Sequence, residues 1–226
     1  SITKPYKEMV ISHLDRLDES ARVVGAVNTI ANERGRLVGY NTDVAGVVAA
    51  LTPVRGRLRG ADALIFGAGG GARATAYALL THFKMASVTI ASRRPAQAKR
   101  LIHELQDRMP PAPLASAAFR PVSDLHDSLT HAALVVNATS IGTQAGTRDR
   151  VLPKSGRVRH DAIGFDLVYR PRPTQFCGEV RRAGARTVID GWPMLVAQAE
   201  AAFQVWTGRK FPSNVRSSLL RLRQLP

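Results

Sequence analysis

The stretch Phe66-Gly67-Ala68-Gly69-Gly70-Gly71-Ala72-Arg73-Ala74 has the residue types and spacing to hold phosphate. An apolar run over 61–66 reads as a buried parallel strand, and an Ala-rich run over 72–83 reads as a helix. Strand, glycine turn and helix make the phosphate-binding start of a dinucleotide fold. Gly67 permits the tight turn, and Gly69 lets backbone N–H groups approach a pyrophosphate. Ala72 stands where a third small residue packs helix against strand. The free N–H groups and the positive end of the helix dipole then attract phosphate oxygens. A second such stretch, Ser92-Arg93-Arg94, closes the next strand, 87–91. In a dinucleotide fold this strand end meets the adenosine ribose, where an acid favours NAD and an arginine accommodates the 2′-phosphate of NADP. Two arginines and no acid favour NADP, because guanidinium groups match phosphate oxygens bidentately and stack on adenine. A third stretch, Asn137-Ala138-Thr139-Ser140-Ile141-Gly142, is small and polar and follows the apolar strand 132–136. Ligands sit at such carboxyl ends in open α/β sheets.

The elements that must position these loops alternate along the chain. Helices are expected over 96–109 and 123–128, with a short strand inside the loop 110–121. A strand over 162–169 is broken by Arg170-Pro171-Arg172-Pro173. Thr174 caps a helix to residue 183, and a last short strand covers 186–189. A long helix over 194–206 is stopped by Thr207-Gly208, and a basic amphipathic helix spans 212–225. Before the glycine loop, residues 1–8 read as a strand end turning into a helix with Pro5 in its first turn. Asp18-Glu19-Ser20-Ala21 begins a short helix. Residues 26–31 and 37–42 pair as a hairpin, and a helix over 44–51 takes Thr42 and Asp43 as N-cap residues. Basic residues with Pro and Gly over 53–60 form the linker. The expected fold is α/β: a Rossmann-like doubly wound parallel sheet over 47–190, with 1–46 and the returning helices of 191–226 forming a smaller α/β unit.

The 226 residues, 45% of them hydrophobic, suffice for a sizeable core and exclude disorder as the default. No apolar run reaches membrane-spanning length, and no signal-peptide pattern opens the chain. A single cysteine, Cys177, excludes an internal disulfide framework and a cysteine-based zinc site, and no metal is expected. A cytoplasmic protein is the simplest fit. The formal net charge of +15 raises nucleic acid as a partner. However, the arginines are scattered, with no basic stripe interleaved with aromatics, so no nucleic acid is expected. A positive field would still steer anionic ligands inward.

Several motifs occur together in a fixed order. They are Thr3-x-Pro5-x-Lys7-Glu8, Gly25-Ala26-Val27-Asn28-Thr29, Asn41-Thr42-Asp43-x-x-Gly46 and Gly67-Ala68-Gly69-Gly70, then Val136-Asn137-Ala138-Thr139-Ser140-x-Gly142, Asp166-x-x-Tyr169-x-Pro171 and Asp190-Gly191-x-x-Met194-Leu195-x-x-Gln198. In this order, along essentially its whole length, the chain resembles shikimate dehydrogenase. The resemblance implies NADP-linked, reversible reduction of 3-dehydroshikimate to shikimate. It implies that Lys7 and Asp43 are the catalytic pair, and that Thr3, Asn28, Asp43, Tyr169 and Gln198 touch substrate. For the cofactor it implies Gly67, Ala68, Gly69, Gly70 and Gly71 at the pyrophosphate and Ser92, Arg93, Arg94 and Gln97 at the adenosine phosphate. Asn137, Ala138, Thr139, Leu167 and Gly191 fall on the nicotinamide side, and Glu19 matches a position near the cofactor.

The implied chemistry is coherent. A ketone reduced by hydride leaves an alkoxide that must gain a proton, and an ammonium beside it polarises the carbonyl and delivers that proton. A neighbouring carboxylate holds the ammonium and keeps it charged. Taken singly, Lys7 also reads as a solvated helix-end lysine, Asp43 as a helix cap, Asn28 and Tyr169 as strand-end residues and Gln198 as solvent-facing. The chain departs from the family pattern at Lys4, Ser92, Gln97 and Thr143. The family also carries a further stretch before the position of Ser1, including a Ser-x-Ser that holds the substrate carboxylate, so a shortened chain is expected. A homodimer and an upstream dehydroquinate dehydratase domain are compatible partners. Two alternatives stay open: a quinate/shikimate dehydrogenase using NAD, and a non-catalytic relative that senses metabolites.

Overall fold

The computed structural model describes residues 1–109, 113–119, 125–143 and 149–222. The chain opens with turns and a short 3-10 helix, Met9–His13, rather than a strand running into an α-helix. Glu8 at its head makes no side-chain cap, and none of its residues is buried, so nothing sustains a longer helix. A two-residue strand that the sequence does not announce, β1 (Arg16–Leu17), leads to α1 (Glu19–Val24). The Asp18 side chain caps α1 on Ser20 N, and Gly25 ends it in the left-handed region at φ 69°. β2 (Thr29–Glu33) and β3 (Arg36–Tyr40) form the expected antiparallel hairpin, and β1 lies parallel to β3. This three-stranded sheet ends at α2 (Asp43–Leu51), which runs unbroken through residues 46 and 47. The linker is not extended: a 3-10 helix, Thr52–Arg57, carries the chain on, and Leu58 is fully buried.

Six parallel strands follow: β4 (Asp62–Phe66), β5 (Ser87–Ser92), β6 (Leu114–Ala118), β7 (Leu134–Asn137), β8 (Ile163–Asp166) and β9 (Thr187–Ile189). Their order is β6-β5-β4-β7-β8-β9, the doubly wound dinucleotide-binding order with its switch point between β4 and β7. The helices between them are α3 (Gly70–Thr81), α4 (Pro95–Gln106), α5 (His126–His131) and α6 (Gln175–Ala183). Helices on both faces explain why β4 and β7 are apolar at almost every position. Alternate residues of β4 serve opposite cores. Ala63 and Ile65 pack with Leu79, Leu101 and Leu105. Leu64 and Phe66 pack with Leu129, Phe176 and Val180.

The chain then returns through α7 (Trp192–Thr207) and α8 (Ser213–Arg221). α7 packs along α2, and Gly46 makes that approach feasible: a Cβ there would lie 2.8 Å from the Met194 carbonyl oxygen. β8 stops at Asp166, short of the expected residue 169, and α8 starts and stops inside the expected 212–225. α5 begins at His126; the first residues of the helix expected over 123–128, and the last of 212–225, lie outside the described residues, as do 110–112, 120–122 and 144–148.

Candidate active site

The first turn of α2 brings Asp43 beside Lys7. Lys7 Nζ donates to Asp43 Oδ2 at 2.5 Å, with the lysine side chain 20% and the aspartate 6% exposed. The other carboxylate oxygen accepts from Asn28 Nδ2 at 2.9 Å. That amide also reaches Gln198 Oε1 on α7 at 3.2 Å. Asn28 is held in turn from its oxygen side, where Thr42 N donates at 2.8 Å and the Thr29 hydroxyl at 3.1 Å. Thr42 occupies the N-cap position of α2 but makes no side-chain capping bond, because its hydroxyl serves Asn28 and Gln198 instead. Both oxygens of a nearly buried carboxylate thus meet donors, the condition under which a buried charge is tolerable. Gln198 is half-buried and bonds into this cluster through its side-chain oxygen. The Lys7 carbonyl accepts from Val27 N at 2.7 Å, which ties the lysine to the segment that carries Asn28.

The glycine loop closes on the same cluster. Gly67 has φ 111°, and a Cβ there would lie 2.8 Å from the Ala138 carbonyl oxygen, so only glycine fits between β4 and the loop after β7. A Cβ on Gly70 would meet the Lys7 stem at 3.2 Å, and one on Gly71 would meet Leu167 Cδ2 at 2.9 Å. A Cβ on Gly191 would collide with the Leu167 carbonyl oxygen. The loops after β4, β7 and β8 and the start of α7 therefore converge, and the lysine side chain lies over the phosphate loop. Gly69 has open space on its outer side and precedes the first turn of α3, whose N–H groups have no intrahelical partners.

Asn137 is fully buried and shapes the loop after β7. Its oxygen accepts from Thr139 N at 3.0 Å and the Thr139 hydroxyl at 2.7 Å, and its amide donates to Asp166 Oδ1 at 2.9 Å. Asp166, which also accepts from Val168 N at 3.0 Å, is pushed up to about 6 by burial. The loop after β5 is built differently. Ser92 is buried, and its hydroxyl accepts from Arg94 N at 3.1 Å, while Arg93, Arg94 and Gln97 are exposed around the start of α4.

Three expected residues stand apart from these bonds. Thr3 is exposed, and its carbonyl accepts from Tyr6 N at 3.0 Å. Tyr169 is 39% exposed and tilts against Trp192, with ring centroids 6.5 Å apart. Glu19 is exposed in the first turn of α1. Cys177 is buried and its thiol is raised to about 11, chiefly by burial, which disfavours the reactive thiolate. No group of residues suited to hold a metal ion occurs among the described residues. Sequence reasoning missed Thr42 as the brace of Asn28 and Asp166 as the partner of Asn137. Both stand inside the ordered motifs, so the signal was present without the geometry.

A family model described as the shikimate dehydrogenase substrate binding domain matches residues 1–30, and one described as the shikimate 5'-dehydrogenase C-terminal domain matches 191–215. A shikimate dehydrogenase (NADP(+)) of Salinibacter ruber is 41% identical over 98% of this chain and 77% of its own. The shikimate 5-dehydrogenase of Thermus thermophilus, solved with NADP(H) and shikimate, is 35% identical with a TM-score of 0.77, covering 97% of this chain and 77% of that one. A quinate dehydrogenase of Corynebacterium glutamicum in complex with NAD is 30% identical with a TM-score of 0.82, covering 97% and 76%. The same fold also occurs in a chorismate mutase/shikimate 5-dehydrogenase fusion of Clostridium acetobutylicum, 26% identical with a TM-score of 0.75, covering 97% and 74%.

Proposed function

The chain belongs to the shikimate dehydrogenase family, and from that premise we propose that it interconverts 3-dehydroshikimate and shikimate with NADP. The observation that carries the reading is the position of the Lys7–Asp43 pair over Gly70 of the phosphate loop. The residues present fit the dinucleotide: the glycine turn, the bare start of α3 and the exposed arginines after β5 offer N–H donors and guanidinium groups where its phosphates belong. When bound, the dinucleotide supplies or takes up the hydride.

The chain's own residues handle the proton. The Lys7 ammonium polarises the ketone and donates to the nascent alkoxide. In the oxidative direction the neutral amine takes the proton from the alcohol. Asp43 holds the ammonium in place, Asn28 donates to Asp43 and to Gln198, and Asn28 and Gln198 stand ready to meet the ring hydroxyls. Thr3 and Tyr169, both exposed, complete the substrate contacts in this reading. Leu167 and Gly191 flank the phosphate loop on the nicotinamide side, and Glu19 lies near the cofactor. The domain division 1–46, 47–190 and 191–226 belongs to the proposal, with α2 and α7 as the wall between substrate and dinucleotide. No described helix is long and apolar enough to cross a membrane. A cytoplasmic setting and a homodimer are parts of the same reading. For the fusion, the neighbouring precedent carries chorismate mutase rather than dehydroquinate dehydratase.

The test is initial rates of dinucleotide reduction with shikimate and quinate, each with NADP and NAD. Shikimate with NADP is expected to be the fastest pair. Replacing Arg93 and Arg94 together by alanine is expected to narrow the NADP-over-NAD preference by about tenfold or more, one to three charge-assisted bonds being lost. Faster turnover of quinate with NAD would overturn the assignment in favour of the quinate enzyme.

A further inference from the structure

Arg73 is the largest fully buried side chain in the described structure, 1% exposed, on the first turn of α3 directly behind the phosphate loop. The rest of that helix's buried face is alanine, threonine and leucine, so packing alone gives no reason for a cation. Burying a guanidinium is costly unless carboxylates meet it. Two do. Arg73 Nη1 donates to Glu104 Oε2 on α4 at 2.7 Å, and Nη2 lies 3.4 Å from Glu8 Oε2. The same Glu8 oxygen accepts from Arg100 Nη2 at 2.8 Å. Arg73 Nε has no hydrogen-bond partner, so the charge is compensated through the two carboxylates.

Glu8 follows Lys7 in the chain. Around the pair, the Lys7 carbonyl is fixed by Val27 N and its stem rests over Gly70. The segment leading to Val27 packs on Arg73 as well, and on Arg108 beyond α4: a Cβ on Gly25 would run into the Arg108 guanidinium and lie 3.5 Å from Arg73 Nη1. The small unit that carries the lysine is therefore fastened by charge to the two helices that present the phosphate loop and the adenosine-side arginines.

We propose that Arg73 and Glu8 are positioning residues: the ion pair between the buried guanidinium and the half-buried carboxylate locks the backbone of Lys7 to α3, so that the proton donor is held in register with the dinucleotide loop. The inference rests on the reading of Lys7 as the acid–base group. Neither residue touches substrate; each acts through Lys7. Misplacing a reacting group by about 1 Å costs up to about a hundredfold in rate. Glu8 is the partner to change first, because its side chain is 33% exposed and its loss leaves Glu104 on Arg73.

The experiment compares the unaltered chain with Glu8→Gln, Glu8→Asp, Arg73→Lys and the double variant Glu8→Gln/Arg73→Lys, with Lys7→Ala as the reference for lost chemistry. It reads kcat, both KM values, NADPH affinity by fluorescence, the thermal midpoint, and the isotope effect with shikimate deuterated at the reacting carbon. Glu8→Gln is expected to lower kcat about tenfold, leave NADPH affinity within about twofold and enlarge the isotope effect, as proton and hydride chemistry becomes rate-limiting. Glu8→Asp recovers part of the rate. The double variant loses no more than the worse single one, because the two act as a unit. A Glu8→Gln enzyme with wild-type kcat and isotope effect overturns the proposal even where Lys7→Ala is inactive. So does a loss that tracks NADPH affinity or the thermal midpoint alone. If the unaltered chain fails to turn over shikimate, or Lys7→Ala stays active, the reading of Lys7 fails and the proposal falls with it.

Discussion

At the scale of single residues, the site is an ammonium held against a nearly buried carboxylate whose two oxygens have separate partners, Lys7 and Asn28. The lysine reaches the aspartate by crossing Gly70, where no side chain stands in its way. Gly70→Ala would bring a methyl group to 3.2 Å from the Lys7 stem. The stem can give by a few tenths of an ångström, so the expected result is a folded protein whose kcat drops about tenfold while NADPH affinity changes less. Steady-state kinetics beside a fluorescence titration checks it. The types of these residues were plain in the sequence, but their meeting was not. Nothing in the composition or periodicity of residues 1–43 says that a lysine in an N-terminal turn and an aspartate on a helix lie within hydrogen-bond distance. Only the ordered motifs suggested it. Gln198 shows the limit from the other side: on a helix it reads equally as solvent-facing, and the hydrogen bond to Asn28 across two elements decides the matter.

At the scale of elements, the strand–loop–helix units of the dinucleotide sheet were legible because each strand is short, apolar and flanked by glycine or small polar residues. β4, β5, β7 and β9, the cap of α6 on Thr174 and the left-handed stop of α7 at Gly208 all stand where pattern placed them. The opening of the chain was not legible. β1 is two residues long and exists through its pairing to β3, and the first helical turn is 3-10 because it buries nothing. Asp166 gives this scale its prediction. It closes β8, braces the loop after β7 through Asn137, and is raised from 3.8 to about 6 by burial. A folded state that holds a proton more tightly than the unfolded chain gains stability below that range and loses it as pH rises through about 6. Asp166→Asn keeps the Oδ1 acceptor and removes the charge. Its stability relative to the parent is expected to grow by about 1–3 kcal/mol between pH 4 and pH 8. Urea midpoints at both values read this; an unchanged difference would mean that the carboxylate stays ionised throughout.

At the scale of the whole molecule, the strand order β6-β5-β4-β7-β8-β9 opens its crevice between β4 and β7, and the chain returns through α7, which packs along α2. A doubly wound parallel sheet followed from the alternation of elements, but its strand order did not, and the packing of α7 along α2 depended on Gly46, whose spacing said only that a small residue was present. The formal charge of +15 belongs to the molecule as a whole, with its arginines scattered along the sequence. Its consequence is steering: both proposed ligands are anions, and a positive field raises their encounter rate. Increasing salt from about 10 mM to about 0.5 M shortens the Debye length from about 30 Å to about 4 Å, so the KM values for shikimate and NADP are expected to rise several-fold while kcat holds. Flat KM values across that series would remove steering from the account.

The most direct test of the central claim is shikimate-dependent NADP reduction by the unaltered chain and by Lys7→Ala, side by side, with NADPH affinity measured on both. Turnover by the first, a loss of about a hundredfold or more in the second, and affinities within about twofold of each other are the predicted result. Equal rates from the two proteins would contradict it, because the proton would then be moved by some other group.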